Sequence, residues 1–479
     1  MVRRERRDRQ ACSAARRLIS RRRHSPRSQR ANSRRRLPWA RAPPCHLSVD
    51  HLDLIENRPR GRFRFARDRE RAAELIDFEL TPAVARLRER TAAFVREVVI
   101  PAESRDLPGH GLDAALRAEL QAAARQAGVF APHMPETYGG LGLDVRDQSA
   151  VFEEAGYSIL GPQALNCAAP DEGNMHMLSV IGTEEQRERY LAPLAAGEVR
   201  SCFAMTEPAP GAGSDPSMLS TTATKVDGGW SISGAKWFIT GAEGADFVIC
   251  MARTDPAITG GWGATMFLVD AANPGWRVER IVDAIDRSFP GGHAAVTFDD
   301  CVVSENAVLG QVGEGYKYAQ VRLAPARLTH CMRWLGLARR AHDIALDRAN
   351  EREAFGVKLG ELGMVQGMIA DSVIDLETSR GLIQRCAWVL DQGRSGGSES
   401  SNAKAHVGEA VGRIVDRSVQ ICGSLGTSGD LPLARIFQEV RPFRIYDGPT
   451  ETHKWAIARR ALRERIRTTG RPPAQPIST

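Results

Sequence analysis

Near its C-terminus the chain reads Phe443-Arg444-Ile445-Tyr446-Asp447-Gly448-Pro449-Thr450-Glu451-Thr452-His453. One carboxylate, Asp447, follows a short apolar run, and the Gly-Pro pair behind it must turn. Thr450 has the residue type of an N-cap for a final helix. A carboxylate held at such a helix start can remove a proton from a bound substrate. An ordinary turn, in which the aspartate accepts a backbone N–H, fits the same residues, so this segment alone leaves both interpretations open.

Long helical patterns surround this segment. Four stretches with apolar residues at three- and four-residue steps begin near residues 319, 364, 403 and 451. They predict a C-terminal four-helix bundle over residues 313–466, followed by a tail at 467–479.

The preceding part of the chain changes character twice. Strand-like runs at 221–226 and 230–233 flank a glycine turn and predict a hairpin, and further runs follow it. We therefore expect a β-barrel-like middle domain over residues 201–312. Residues 75–200 show helical periodicity and caps, which predict an N-terminal helical domain. The fold class predicted from this order is a multi-domain α+β protein.

The charge is concentrated in the N-terminal tail. Residues 1–41 hold sixteen Arg against Glu5 and Asp8, a balance of +14, which leaves −7 for the remainder of a chain whose net charge is +7. We interpret residues 1–70 as a disordered Arg-rich tail. A transit peptide, a nucleic-acid-binding arm and an upstream reading frame attached by a misplaced start codon all fit it, and we favour the third. Nucleic acid is not an expected partner of the mildly acidic body.

Other compositional features exclude further classes. The 479 residues, 42% of them hydrophobic and 26% charged, are those of a globular protein with a large core. No apolar run reaches the roughly 20 residues of a membrane span. The 9 cysteines form no CxxC pair or Cys/His cluster. This pattern argues against a zinc site or a disulfide scaffold and suits a reducing compartment. Arginine far outnumbers lysine, which suggests a bacterial gene, so we expect a cytoplasmic location in a bacterium.

Two stretches of the middle domain have the composition of a ligand site. Residues 201–208 and 211–215 combine a strand with hydroxyls and glycines, whose backbone N–H groups can face an anionic or ring-shaped ligand. Residues 236–241 place an aromatic side chain beside a hydroxyl. Taken singly, such a glycine loop is an ordinary turn and such an aromatic is an ordinary core residue.

Together these stretches resemble the flavin-binding strands of the acyl-CoA dehydrogenase family. The resemblance continues at 352–356 with Gln366, at 419–423 and at 445–448, in the order and with the separations of that family. Segments 166–175, 327–333 and 447–453 are similar to one branch, whose animal members carry the dehydrogenase behind a kinase-like domain.

The resemblance implies FAD as the cofactor and assigns its contacts residue by residue. The residues that it places at the flavin ring are Phe203, Met205, Thr206, Gly213, Ser214, Phe238 and Thr240. The residues that it places at the remainder of FAD, partly across a subunit interface, are Arg352, Gln366, Gln420, Ser424, Pro449 and Glu451. The residues that it places near the substrate are Ser214 and Arg327. Ala324 stands where other members carry an acidic contact to CoA.

The resemblance also implies a reaction. Asp447 stands where most members carry a catalytic glutamate, and in the branch that this chain resembles aspartate is usual. It would remove the α proton of an acyl-CoA thioester while the β hydrogen leaves as hydride to flavin N5. Electrons would pass to an electron-transfer flavoprotein, and the protein would form a homodimer or homotetramer. The place in metabolism would be fatty acid β-oxidation.

Alternatives remain open at this point. The same fold could serve a flavin-dependent oxidase or monooxygenase that uses oxygen, or a non-catalytic flavin- or DNA-associated protein. The sequence leaves the length, branching and hydroxylation of the acyl group open.

Overall fold

The computed structural model describes residues 78–105, 110–258 and 263–470. The tail predicted at residues 1–70 lies outside these ranges, as does most of the tail predicted at the C-terminus. The described chain runs from helices through a sheet to a second set of helices, and this order confirms the predicted α+β fold. The residue boundaries given above for the three parts stay a prediction.

The N-terminal part is helical throughout. Its helices are α1 (Pro82–Phe94), α2 (Ile100–Ala102), α3 (Ala114–Gln126), α4 (Val145–Ala155), α5 (Gly161–Ala164), α6 (Asp171–Ile181), α7 (Glu184–Gln186) and α8 (Ala192–Ala195). Side-chain caps begin two of these helices, as the sequence predicts for this part of the chain. The Thr81 side chain accepts the Val84 N–H at the start of α1, and Thr183 forms a capping box with Gln186 at α7. Helices α4 and α6 both pack against the long helix that follows the sheet.

The middle part is a seven-stranded sheet. Its strands are β1 (Ser201–Ala204), β2 (Thr222–Val226), β3 (Gly229–Thr240), β4 (Phe247–Arg253), β5 (Ala264–Asp270), β6 (Trp276–Val282) and β7 (His293–Ser304). The order is β1-β4-β2-β3-β7-β6, with β5 on β4. Strands β2 and β3 form the predicted antiparallel hairpin, in register from Thr222 opposite Ser233 to Val226 opposite Gly229.

Strand β3 carries two bulges, and the second turns it toward β1. Its register with β7 shifts between Lys236 and Ile239, so Trp237 and Phe238 leave the ladder, and Phe238 has a φ of 56°. The freed Trp237 N–H donates to the carbonyl of Thr206 at 2.9 Å, and Thr206 Oγ1 donates to the Trp237 carbonyl at 2.6 Å. The bulge therefore brings together the two stretches in which the sequence predicts a ligand site.

The C-terminal part contains the four predicted long helices. They are α9 (Gly315–Glu351), α10 (Gly363–Asp391), α11 (Gly397–Cys422) and α13 (Thr450–Thr469), with a short α12 (Leu433–Val440) and a small hairpin of β8 (Glu353–Ala354) and β9 (Val357–Lys358). Helix α13 continues three residues past the predicted boundary at 466, supported by the ion pair of Glu464 with Arg467 one turn apart.

The prediction that Thr450 caps α13 is wrong. Pro449 occupies the N-cap position with an extended ψ of 149°, and Thr450 is already the first helical residue. The Thr450 side chain is buried instead, and its hydroxyl has no hydrogen-bond partner among the described residues.

Two apolar clusters stabilise the described chain. The larger joins the N-terminal helices to the bundle and to one face of the sheet, and the smaller fills the other face of the sheet. Within the described ranges, no helix is both long and apolar enough to cross a membrane.

Candidate active site

Asp447 lies in a tight turn between α12 and α13. A 3₁₀ turn, Arg441–Arg444, ends α12, and Asp447 then adopts the left-handed region with a φ of 53°, followed by Gly448 with a φ of 98°. Aspartate tolerates this conformation better than most residues do, whereas Gly448 also needs the space. A Cβ added at Gly448 would lie 2.7 Å from the His453 ring.

One face of α9 holds this turn. Arg327, His330 and Trp334 follow each other at the three- and four-residue spacing that puts side chains on one helical face. Arg327 Nε donates to the Asp447 carbonyl at 2.8 Å, and Trp334 Nε1 donates to the Tyr446 hydroxyl. His330 Nε2 lies 3.4 Å from Asp447 Oδ2. The turn is therefore attached to α9 on both sides of the carboxylate.

Lys404 of α11 holds the turn from the opposite side. Its side chain is fully buried, and its Nζ donates to the carbonyls of Phe443 at 2.6 Å and Gly448 at 3.4 Å. His453 Nε2 donates to the Asp447 carbonyl at 3.2 Å. These contacts close the turn around the carboxylate, whose own side chain remains only 18% exposed.

The electrostatics keep Asp447 ionised. Burial raises the pKa of its carboxyl, but the neighbouring His330, followed by the cations Arg322, Arg327 and Lys404, together bring that pKa below its ordinary value. His330 itself is neutral, because burial and the nearby Arg333 lower its pKa to about 3. A buried, ionised carboxylate beside neutral imidazole is the charge state that a general base requires.

One cavity lies against the side chains of α9 that hold the turn, and a second adjoins it. The first is lined by His330, Arg333 and Trp334 of α9, by Phe289 and by the segment between α4 and α6. The second shares Phe289 and is lined by Ser201, at the start of β1, and by Gly241, which follows β3. The two cavities therefore extend from the helical face that contacts the turn toward the start of β1 and the end of β3.

Phe289 connects the cavities to the predicted flavin strands. Its ring lies 5.5 Å from that of His293, and His293 Nδ1 is 3.0 Å from Thr240 Oγ1. The other ring nitrogen of His293 is 3.0 Å from the buried carboxylate of Asp286, which fixes the imidazole. The Phe238 ring lies 6.1 Å from His293 on its other side.

A buried ion pair shapes the glycine loop. Glu207 and Lys236 are 2.9 Å apart, and both side chains are fully buried. Glu207 also accepts the N–H groups of Ala212, Ser220 and Thr221, so its carboxylate ties both ends of the loop 208–220 to β3. Lys236 and these hydrogen bonds, together with one from the Ser220 hydroxyl, outweigh burial and lower the pKa of Glu207 to about 2.

The predicted ring-side residues lie around one open region of the sheet. Phe203 and Met205 lie at the end of β1, and the Arg322 guanidinium, which also faces Asp447, stacks 4.2 Å above the Phe203 ring. Ser214 is exposed, a Cβ added at Gly213 would meet no atom within 4 Å, and Phe238 is 49% exposed. An uncovered aromatic beside an open glycine loop and hydroxyls fits a flat cofactor ring.

The residues predicted for the remainder of FAD lie elsewhere. The four on the bundle are exposed and far along the chain from the sheet; they are Arg352, Gln366, Gln420 and Ser424. Pro449 is half-buried at the start of α13. Glu451 is exposed, and its Oε1 lies 3.8 Å from Arg444 Nη2. Large apolar side chains, Phe355 at 94% and Met364 at 85% exposure, lie in the same region of the sequence.

Residues that the sequence did not single out for a role complete the site. They are Lys404, Arg322, His330, Trp334, His293 and His453. The spacing of Arg327, His330 and Trp334 was a usable signal, because it predicts one helical face. Lys404 gave none, since a lysine on a helix is normally a solvated residue.

Comparisons with known proteins identify the family of the chain. Models of the acyl-CoA dehydrogenase family match in three parts, the N-terminal domain over residues 81–198, the middle domain over 202–301 and the C-terminal domain over 313–462. The butyryl-CoA dehydrogenase structure from Megasphaera elsdenii superposes with a TM-score of 0.73 at 28% identity, covering 81% of this chain and 100% of that chain.

Curated relatives include bacterial and animal proteins. "Probable acyl-CoA dehydrogenase FadE2" of Mycobacterium tuberculosis is 35% identical over 401 residues, which are 81% of this chain and 97% of that protein. "Acyl-CoA dehydrogenase family member 10" of Mus musculus is 35% identical over 405 residues, but this chain spans only 38% of it. The resemblance to the animal branch is thus confirmed. The chain belongs to the acyl-CoA dehydrogenase family, and its homologues are FAD-dependent oxidoreductases.

Proposed function

We propose that the protein dehydrogenates an acyl-CoA thioester between its α and β carbons, with Asp447 as the base that removes the α proton. The observation that carries this proposal is the largely buried, ionised carboxylate of Asp447, held 3.4 Å from His330, which lines a cavity. Phe289 lines the same cavity and is linked through His293 to Thr240. The same arrangement explains why a shorter side chain than glutamate can serve, because the turn itself is fixed by Arg327 and Lys404.

The chain's own groups perform the proton step. Asp447 enters the reaction ionised, so it can accept a proton without first losing one. Removal of a weakly acidic α proton places negative charge on the thioester carbonyl, and the cations Arg322, Arg327 and Lys404 lie close enough to Asp447 to lower its pKa. A field of this kind favours the transition state in which negative charge develops on the substrate.

FAD supplies the redox chemistry when it is bound, by accepting the β hydrogen as hydride. The proposed ring-side contacts are those of Phe203, Met205, Thr206, Gly213, Ser214, Phe238 and Thr240. The proposed contacts to the remainder of FAD are those of Arg352, Gln366, Gln420, Ser424, Pro449 and Glu451. The residues proposed to contact the substrate are Ser214 and Arg327.

A second copy of the chain would complete the cofactor site. The exposed Arg352 and Gln366 lie beside Phe355 and Met364, which are almost fully exposed apolar side chains on the surface of a single chain. Apolar side chains of this size normally face a partner. A homodimer or homotetramer, in which the partner covers this region, is part of the proposal.

The electron acceptor and location complete the proposal. We assign an electron-transfer flavoprotein as the acceptor and a role in fatty acid β-oxidation. A cytoplasmic location is supported by the described cysteines, all of which are free thiols.

An anaerobic titration tests the function. The panel is butyryl-, isobutyryl-, octanoyl- and palmitoyl-CoA with their hydroxylated counterparts. The hydroxylated compounds are included because two buried polar atoms, Arg333 Nη2 and Gln163 Oε1, have no described hydrogen-bond partner and both residues line the cavity. We expect at least one member to bleach the flavin absorbance of the wild-type protein.

Asp447→Asn is the matched control. It should keep the flavin and the fold but bleach at least roughly a hundredfold more slowly, since a general base typically contributes a factor of 10² to 10⁴. Bleaching at the wild-type rate by this variant would show that another group is the base. Fast reoxidation of the reduced protein by air, without the carrier protein, would instead favour an oxidase.

A further inference from the structure

The Asp447 carboxylate has one oxygen without a partner. Asp447 Oδ2 is buried and accepts no hydrogen bond among the described residues. A buried carboxylate oxygen left in this way is costly, and it is free to rotate away from a productive direction. The question is which neighbour can donate to it.

The surrounding cations have their described donors directed elsewhere. Arg322 Nε donates to Asn174 Oδ1 at 2.8 Å, and Arg327 Nε donates to the backbone carbonyl of Asp447. Lys404 Nζ donates to two other carbonyls. These groups lower the pKa of Asp447 through their charge, whereas none of them has a hydrogen bond to Oδ2.

His330 is the remaining neighbour, and it is held in place. Its Nε2 lies 3.4 Å from Oδ2, and its ring packs 5.0 Å from the ring of Tyr446 and 6.0 Å from that of Phe443. The distance and alignment fall short of a formed hydrogen bond. Such bonds in substrate-free enzymes are often long and shorten when the substrate binds.

The charged groups facing His330 come from four elements. They are Arg333 on its own helix α9, Asp447 on the turn, Glu172 on α6 and Lys404 on α11. Burial and the two cations, opposed by the two carboxylates, lower the pKa of the imidazole to about 3, so it is neutral at neutral pH. Neutral imidazole can donate one N–H without adding a positive charge to the site.

We propose that His330 is a positioning residue for the base, and that its Nε2–H donates to Asp447 Oδ2 and directs the other carboxylate oxygen at the substrate. The inference rests on the proposed function. It gives a reason why a base one methylene shorter than glutamate can keep a fixed direction. His330 also lines the cavity bounded by Arg333 and Trp334, so it faces both the carboxylate and that space.

The test compares His330→Gln with His330→Asn. The glutamine amide nitrogen can take the place of Nε2, whereas the asparagine amide is one methylene too short to reach Oδ2. Both variants replace the imidazole by a neutral amide and add no bulk. We expect His330→Gln to bleach within about threefold of wild type and His330→Asn to be slowed about 10- to 100-fold with little change in KM, the cost of a misdirected reacting group.

A second measurement does not depend on any substrate. The pKa of Asp447 is read from the ¹³C shift of labelled aspartate carboxyls, with Asp447→Asn to assign the signal. Loss of a donor to the ionised form should raise that pKa by about one unit in His330→Asn, while His330→Gln stays near wild type.

The outcomes separate the two proposals. Equal bleaching rates and equal Asp447 pKa values in the two variants would overturn the role of His330, even if Asp447→Asn stops bleaching. Wild-type bleaching by Asp447→Asn would overturn the base itself, and the carboxyl titration would still decide whether His330 donates to Asp447.

Discussion

Breaking the buried pair of Glu207 and Lys236 should both destabilise the middle domain and weaken FAD binding. Lys236→Met removes the cation and leaves the Glu207 carboxylate without an opposite charge. Water cannot replace that charge, because both side chains are 0% exposed. Removing one partner of a buried ion pair costs about 3–5 kcal/mol. The carbonyls of Met205 and Met251 also lose the Lys236 donor. The ring-side loop 208–220, which Glu207 holds, should then become more mobile.

The control is an exposed pair in the same sheet. Lys225 on β2 pairs with Glu305, and their side chains are 54% and 51% exposed. Lys225→Met should cost about 1 kcal/mol or less, because exposed pairs are screened by water. Urea unfolding followed by tryptophan fluorescence measures the free energies, and flavin fluorescence during FAD titration measures the affinity.

The double variant and the pH dependence sharpen the test. Glu207→Gln with Lys236→Met removes both charges and should cost less than the two single changes added together. In the wild type, Glu207 releases its proton at a pKa of about 2 when folded and at the ordinary value of 4.5 when unfolded. The contribution of the pair is therefore complete above pH 4.5 and is lost as the pH falls toward 2. If Lys236→Met loses no more stability than Lys225→Met, the pair does not hold the loop.

Two further changes test the turn that carries the base. Gly448→Ala should slow flavin bleaching about tenfold or more, because the added Cβ would lie 2.7 Å from His453 Nε2 and the backbone has a φ of 98°. The control is Gly412→Ala, which should leave the rate unchanged because a Cβ there would meet no atom within 4 Å. Lys404 has a pKa lowered to about 8 by burial against 10.5 when unfolded, so the unfolded chain binds more protons between these values. The free energy of unfolding should therefore rise with pH from 8 to 10.5 in the wild type and not in Lys404→Met; equal slopes in both proteins would contradict the assignment.

The local elements of the fold were predictable because their signals are local. The hairpin of β2 and β3 needs only a glycine turn between two β-prone runs, and both are contained in a dozen consecutive residues. Thr450 shows the limit of such signals. A threonine after Gly-Pro has the type of an N-cap, yet Pro449 already has extended backbone and takes that position.

The site needed information that no single segment contains. Asp447 was found from its turn, but its donors come from α9 and α11, which are separate in sequence and meet only through bundle packing. Lys404 resembles a solvated helix residue until the fold buries it completely. The bulge at Phe238 likewise depends on Thr206, which lies about thirty residues earlier and supplies the hydrogen bonds that the ladder lost.

The cations around Asp447 act on the negative charge of the site both before and after proton transfer. In the proposed reaction the carboxylate takes the α proton, so its negative charge disappears there and an equal charge arises on the substrate carbonyl. The total charge of the pocket is unchanged, so Arg322, Arg327 and Lys404, which lower the pKa of the carboxyl, remain beside a negative charge throughout the step. Preorganised charges of this kind need not rearrange during the reaction. A low pKa for the resting base is thus compatible with fast proton removal, because the field that stabilises the carboxylate is transferred to the charge that replaces it.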